Sequence, residues 1–120
     1  MKKIKTIFEI SKNIDRNKKI GLCSGCFDLL HIGHIKHLQA AKKLCDILVV
    51  AVAANKHVNK GPSRPAFDEM LRMQSLAALE GVNFVCLNNS SDTVNIIEQL
   101  KPNIYFKGSE YKQHKLDLNG

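Results

Sequence analysis

Ile20-Gly21-Leu22-Cys23-Ser24-Gly25-Cys26-Phe27-Asp28-Leu29-Leu30-His31-Ile32-Gly33-His34 is the stretch on which the fold turns. Its apolar run, Ile20 to Cys23, halts at Ser24-Gly25, the pattern of a buried strand ending in a tight loop. From Ile32 to Leu44 the residues Ile35, Leu38, Ala41 and Leu44 recur at helical intervals. Asp46 then opens a second apolar run, Ile47 to Ala53. The order is strand, helix, strand. A continuous rather than alternating apolar strand implies burial on both faces, as in a parallel sheet covered by helices.

The pattern continues outward in both directions. Ile4, Ile7, Phe8, Ile10 and Ile14 predict an amphipathic helix packed against the edge of the domain, over about residues 3–16. Asn55 to Pro65 holds Gly61, Pro62 and Pro65 without periodicity and predicts a long exposed loop, a length usually reserved for function. Ala66 to Leu79 predicts a helix with Pro65 at its start, and Val82 to Leu87 a third strand. Asp92 is placed to cap a helix over Thr93 to Leu100, Pro102 ends it, and Ile104 to Phe106 predicts a fourth strand stopping at Lys107-Gly108. The last twelve residues are polar and unpatterned. Leu71, Leu76, Leu79, Ile96, Ile97 and Leu100 are expected in the core. The fold class is therefore α/β: a Rossmann-like open parallel sheet flanked by helices, in one domain over residues 1–120. Ligands of such sheets bind beyond the carboxyl ends of the strands, here Ser24 to His34, Asn55 to Pro65 and Lys107 to Tyr111.

Composition agrees. The chain has 120 residues, 44% of them apolar, which excludes a disordered tail, and one domain takes roughly 100 to 200 residues. The apolar run from Ile47 to Ala54 is far short of the about 20 residues a membrane span needs, and no cleavable leader follows Met1, so a cytoplasmic protein without a membrane partner is expected. Four cysteines without a secretion signal suit reduced thiols. With 18 Lys and Arg against 11 Asp and Glu, the net charge of +7 suits nucleic acid, an anionic membrane or a phosphorylated small molecule. Seven basic residues crowd positions 2 to 19 beside few aromatics, which favours a solvated helix face over a nucleic-acid stripe.

The chemistry concentrates between Gly25 and His34. A helix N-terminus, with its unpaired N–H groups and positive dipole end, is a ready anion site. Gly25 lets backbone approach a phosphate, and Gly33 leaves room for a base or ribose against the helix. His31 and His34, one turn apart, project from the same side and supply donors that follow charge as it builds on a phosphoryl group.

His31-Ile32-Gly33-His34, preceded by Gly25-Cys26-Phe27-Asp28, resembles the signature of the cytidylyltransferase-like nucleotidyltransferases. Those enzymes join a nucleoside monophosphate to a phosphorylated acceptor and release pyrophosphate. The resemblance runs from about Ile20 to Lys112. Lys60 to Pro65, Arg72, Leu100 to Ile104 and Lys107 to Tyr111 look most like the heptose 1-phosphate adenylyltransferase branch of the family. It implies that His31 and His34 bind the nucleotide phosphates and stabilise the transition state, with backbone around Cys26 and Phe27 holding phosphate. Asp28 would orient a histidine or the loop, Lys60 would reach the phosphates, and Arg72 would grip the departing pyrophosphate. It adds Lys107 and Gly108 on the nucleotide side, Asn55, Lys60 and Glu110 on the acceptor side, and a Mg²⁺ travelling with the triphosphate. A homodimer that buries the extra N-terminal helix is expected, and fusion to a further domain is compatible with the resemblance.

Three features depart from the family. Asn55 stands where many relatives have Asp, Ser109-Glu110 replaces Gly-Asp, and the late Ser/Thr-rich segment that opens a last helix is missing before Gly120, as in a fragment of a longer protein. ATP and CTP, and with CTP a glycerol-3-phosphate-type cytidylyltransferase, stay open, as does a catalytically inactive nucleotide- or RNA-binding module. The same tetrapeptide marks class I aminoacyl-tRNA synthetases, but those need several hundred residues and a second lysine-rich signature. Cys23-Ser24-Gly25-Cys26 imitates a thioredoxin-like site, yet overlaps the phosphate motif. His31, His34 and His37 share a spacing that zinc accepts but lack a defined fourth ligand beyond Cys26; His37, His57 and His114 are expected to be solvated.

Overall fold

A computed structural model describes residues 3–28, 30–57, 68–107 and 112–115. Five strands form the sheet: β1 (Ile20–Gly25), β2 (Ile47–Ala53), β3 (Phe84–Asn88), β4 (Ile104–Lys107) and β5 (Lys112–Lys115). Four α-helices connect or flank them: α1 (Ile7–Asn13), α2 (Ile32–Lys43), α3 (Glu69–Ala77) and α4 (Val94–Leu100). The strand order is β3-β2-β1-β4-β5, parallel throughout except for β5. The chain builds outward from β1 through β2 to β3, then returns through α4 to place β4 on the other side of β1. That reversal opens a crevice at the carboxyl ends of β1 and β4.

The continuous apolar run of β2 is explained by its two buried faces. Leu48, Val50 and Val52 point into one layer with Leu38, Ala41, Met73 and Leu76 of α2 and α3. Val49 and Ala51 point into the other, with Ile10 and Ile14 of the N-terminal segment and Ile96 and Leu100 of α4. Pleating sends successive side chains to opposite faces, so a strand covered twice has no polar side to show. Gly21 of β1 is required by crowding: a Cβ there would sit 2.7 Å from Cys45 Sγ and 3.0 Å from Phe106 Cε2. Gly21→Ala is expected to destabilise the domain by about 1–3 kcal/mol in urea unfolding, with part of the loss recovered when Cys45→Ala is added. Equal stability of Gly21→Ala and the parent would show that this contact relaxes freely.

The first helix is shorter than expected. Thr6 and Glu9 form a capping box at its start, and Ile14 leaves it in an extended conformation. Ahead of it, the Lys5 N–H donates to Val85 O and the Val85 N–H to Lys3 O, so the N-terminal segment covers the outer edge of β3. Ile10 and Ile14 are buried against the chain's own sheet. Ile10 and Ile14 therefore find their cover within one chain, while Phe8 of the same helix stays 66% exposed.

Other boundaries moved for local reasons. α3 starts at Glu69 because the Asp68 side chain accepts from the Leu71 N–H. α4 begins one residue later than predicted, with Thr93 rather than Asp92 at its N-cap and no cap bond from the Thr93 side chain, while Asp92 accepts from the Val94 N–H one residue further out. Leu71 is 49% exposed, on the solvent side of α3, and is not core as expected. His37 is 8% exposed, correcting the expectation of a solvated ring: α2 turns it toward the sheet. β5 was not anticipated. A polar segment without alternation carries no strand signal, but the open edge of β4 offers it a ladder of backbone partners. Among the described residues no helix is long and apolar enough to cross a membrane.

Candidate active site

β1 delivers the chain to the carboxyl edge at Gly25, and the loop that follows begins with Cys26 and Phe27. Phe27 adopts a left-handed backbone, φ 49°, unusual for a residue with a Cβ. Its ring folds back over Gly25, where an added Cβ would lie 3.1 Å from Phe27 Cε2. The same ring meets His34 edge-on with centroids 5.8 Å apart, and His34 lies 4.0 Å from His31. Asp28 is 4% exposed, so its carboxylate works within the protein.

The two histidines cap α2 reciprocally. The Gly33 N–H donates to His31 Nδ1 at 3.0 Å, and the His31 N–H donates to His34 Nδ1 at 3.3 Å. A nitrogen that accepts carries no proton, so each neutral ring holds its proton on Nε2, the far side from the backbone. The caps thus fix both tautomers before a ligand arrives. The first turn of α2 has no acid, a feature it shares with α4, whereas α1 and α3 carry Glu9 and Glu69 there. Lys42 and Lys43 occupy the last turn of α2, at the negative end of the helix dipole.

At the carboxyl ends of β1, β2 and β3 lies a cleft of about 200 Å³, lined by Ser24, Cys26, Asn88, Ser90, Asp92 and Thr93 among others. Ser24 Oγ, Tyr105 OH and Thr93 Oγ1 form a closed triangle of 2.7, 3.2 and 3.3 Å at its base. Sequence reasoning placed Ser24 at the ligand edge but missed Asn88, Thr93 and Tyr105. The polar run Ser90-Ser91-Asp92-Thr93 follows β3, and the rule that ligands gather at carboxyl ends would have found it there.

Gly25, Cys26, Phe27, Asp28, His31, Gly33 and His34 all fall on one loop and helix start. Arg72 lies beneath them, 1% exposed: its Nη1 donates to Cys26 O and Ala53 O, each at 2.7 Å, and its Nη2 to Asn55 Oδ1 at 2.8 Å. Asn55 follows β2 on a short 3₁₀ turn, its N–H held by Glu69 Oε1. With Oδ1 engaged by Arg72, the amide NH₂ is the end that can meet a ligand. Lys60, Gly108 and Glu110 lie outside the described residues, as does the side chain of Lys107, whose backbone ends β4 beside Ser24. Among the described residues no three His, Cys, Asp or Glu side chains converge as a metal cage.

Cys23 and Cys86 are buried thiols, and burial pushes Cys86 up to about 12 and Cys23 higher still. Cys23 is therefore the reverse of an activated redox thiol.

A mostly parallel α/β sheet flanked by helices, with its strand order reversing between β1 and β4, defines a domain of Rossmann-like type. The chain belongs to the cytidylyltransferase-like family, whose model matches residues 22–117. It is 42% identical over 104 residues to the bifunctional protein HldE of Citrifermentans bemidjiense, covering 85% of this chain and 21% of that protein. It is likewise 42% identical over 114 residues to HldE of Campylobacter jejuni subsp. jejuni serotype O:6, covering 92% and 25%. The chain thus spans about a fifth to a quarter of the length of these relatives. The lipopolysaccharide core biosynthesis protein of Thermoplasma volcanium GSS1 superposes with a TM-score of 0.64 at 33% identity, over 73% of this chain and 72% of that one. Pantoate–β-alanine ligase of Francisella tularensis, with a TM-score of 0.60 at 17% identity over 85% of this chain and 54% of that one, shares the fold.

Proposed function

We propose that the domain transfers a nucleoside monophosphate from a Mg²⁺-bound nucleoside triphosphate to a phosphorylated acceptor of the sugar 1-phosphate class. The observation that carries this reading is the reciprocal capping of His31 and His34, which presets two Nε2–H donors at the positive end of α2. An acceptor phosphate oxygen attacks the α-phosphorus, a new P–O bond forms, the bond to the β-phosphate oxygen breaks, and pyrophosphate leaves. His31 and His34 hold the negative charge that grows on the α-phosphate oxygens, and the protein's part is positioning and charge neutralisation. When bound, Mg²⁺ supplies further charge neutralisation on the phosphates.

On this reading the acceptor occupies the cleft at Ser24, Asn88, Asp92 and Thr93, whose hydroxyl, amide and carboxylate groups suit the hydroxyls of a sugar. The amide NH₂ of Asn55, together with Lys60 and Glu110, serves the acceptor side, while Lys107 and Gly108 serve the nucleotide. ATP is favoured over CTP by the resemblance of Lys60 to Pro65 and Lys107 to Tyr111. The relatives carry the matching region within longer bifunctional proteins, which suits fusion to a further domain. The test is calorimetric titration of the full chain with the four nucleoside triphosphates and Mg²⁺, followed by pyrophosphate release with a panel of sugar phosphates. Micromolar to millimolar binding of ATP and acceptor-dependent pyrophosphate are expected. Absence of nucleotide binding would refute the reading, and binding without pyrophosphate from any acceptor would favour an inactive nucleotide-binding module.

A further inference from the structure

Arg72 is a charged side chain withdrawn almost wholly from water, and the chain has invested it in three acceptors drawn from separate segments. Cys26 O belongs to the loop after β1, Ala53 O ends β2, and Asn55 Oδ1 sits on the turn beyond. A planar fork of donors is suited to such bridging; a lysine ammonium is not.

The consequence lies in the Cys26–Phe27 peptide. A trans peptide is planar with its C=O and N–H pointing in opposite directions. When Arg72 draws the Cys26 carbonyl into the protein, it turns the Phe27 N–H outward, away from the guanidinium. The same peptide enters the left-handed Phe27, whose ring packs over Gly25 and braces His34. One buried side chain is therefore linked, through a single peptide, to a backbone donor and to the ring of His34. Through Asn55 it is linked to the turn that follows β2.

We propose that Arg72 is a positioning residue that holds the phosphate loop in its donor-outward conformation, rather than a residue that grips the leaving pyrophosphate. The proposal deepens the nucleotidyltransferase reading and rests on it for its effect on turnover, but its structural half is independent of that reading.

Arg72→Lys carries the test, because it keeps the charge and loses the fork; Arg72→Met is its charge-free companion. NMR of the ligand-free chain should show the Phe27 amide and His34 ring resonances displaced in both variants. Turnover should fall at least tenfold in both, with KM for the nucleotide changed less than threefold. Normal ligand-free resonances with weakened pyrophosphate binding would make Arg72 a phosphate ligand and overturn the proposal. Resonances and turnover both unchanged in Arg72→Lys would overturn it as well. If both variants are unfolded by circular dichroism, Arg72 serves stability alone and the proposal falls. Should the parent chain bind no nucleotide, the nucleotidyltransferase reading fails separately, and the ligand-free resonances still decide the loop's dependence on Arg72.

Discussion

His34→Ala is expected to lower turnover by about 10²-fold or more, the scale seen when one transition-state donor is removed, while thermal stability changes little. The small stability effect is expected because the bond His34 Nδ1 accepts from the His31 N–H is long, 3.3 Å, and His31 also caps the same helix start. Two further substitutions separate donor from cap. Asparagine places a polar atom near the Nδ1 position but none at Nε2, and is expected to lose as much activity as alanine. Glutamine reaches the Nε2 position with a donor and is expected to recover part of it. Steady-state pyrophosphate release is the measurement. Less than a tenfold loss in His34→Ala would remove His34 from the reacting centre.

The second large effect is alkaline. Cys86 is pushed from about 9 up to about 12 and Cys23 beyond, both by burial in apolar surroundings between sheet and helices. Each thiol stays protonated in the fold at pH values where the unfolded chain has already released its proton. Their contribution is whole below about pH 9 and is lost as pH rises toward the folded value. Each should steepen the fall in unfolding free energy by on the order of 1.4 kcal/mol per pH unit across that window. Urea unfolding from pH 8 to pH 11 on the parent and on Cys23→Ala with Cys86→Ala isolates the thiols from other titrating groups. The double variant is expected to start less stable, by the cavities it creates, and to lose stability more slowly with pH. Parallel curves would show that the thiols ionise without unfolding.

The candidate site divides along the same line as these predictions. His31, Gly33 and His34 were legible because their spacing on a helix start is local, and local spacing is what a sequence displays directly. Arg72 was legible as a candidate, but its burial and its bond to Cys26 O were not, because they are set by how α3 packs beneath the sheet. The Ser24, Thr93 and Tyr105 triangle was illegible, because its members come from β1, the start of α4 and β4. Only the strand order places them together.

By itself the sequence determined the alternation of strands and helices, the double burial of β2 and the helix start that carries His31 and His34. These follow from periodicity and from chain-local caps, whose energies act within one turn or one strand. Tertiary structure alone decided the burial of Arg72 and His37, the packing of Ile10 and Ile14 against the chain's own sheet, and the addition of β5. Each depends on which surfaces meet across the sheet or on an open strand edge seeking partners. Those meetings are made between residues far apart in the chain, where spacing carries no record of them.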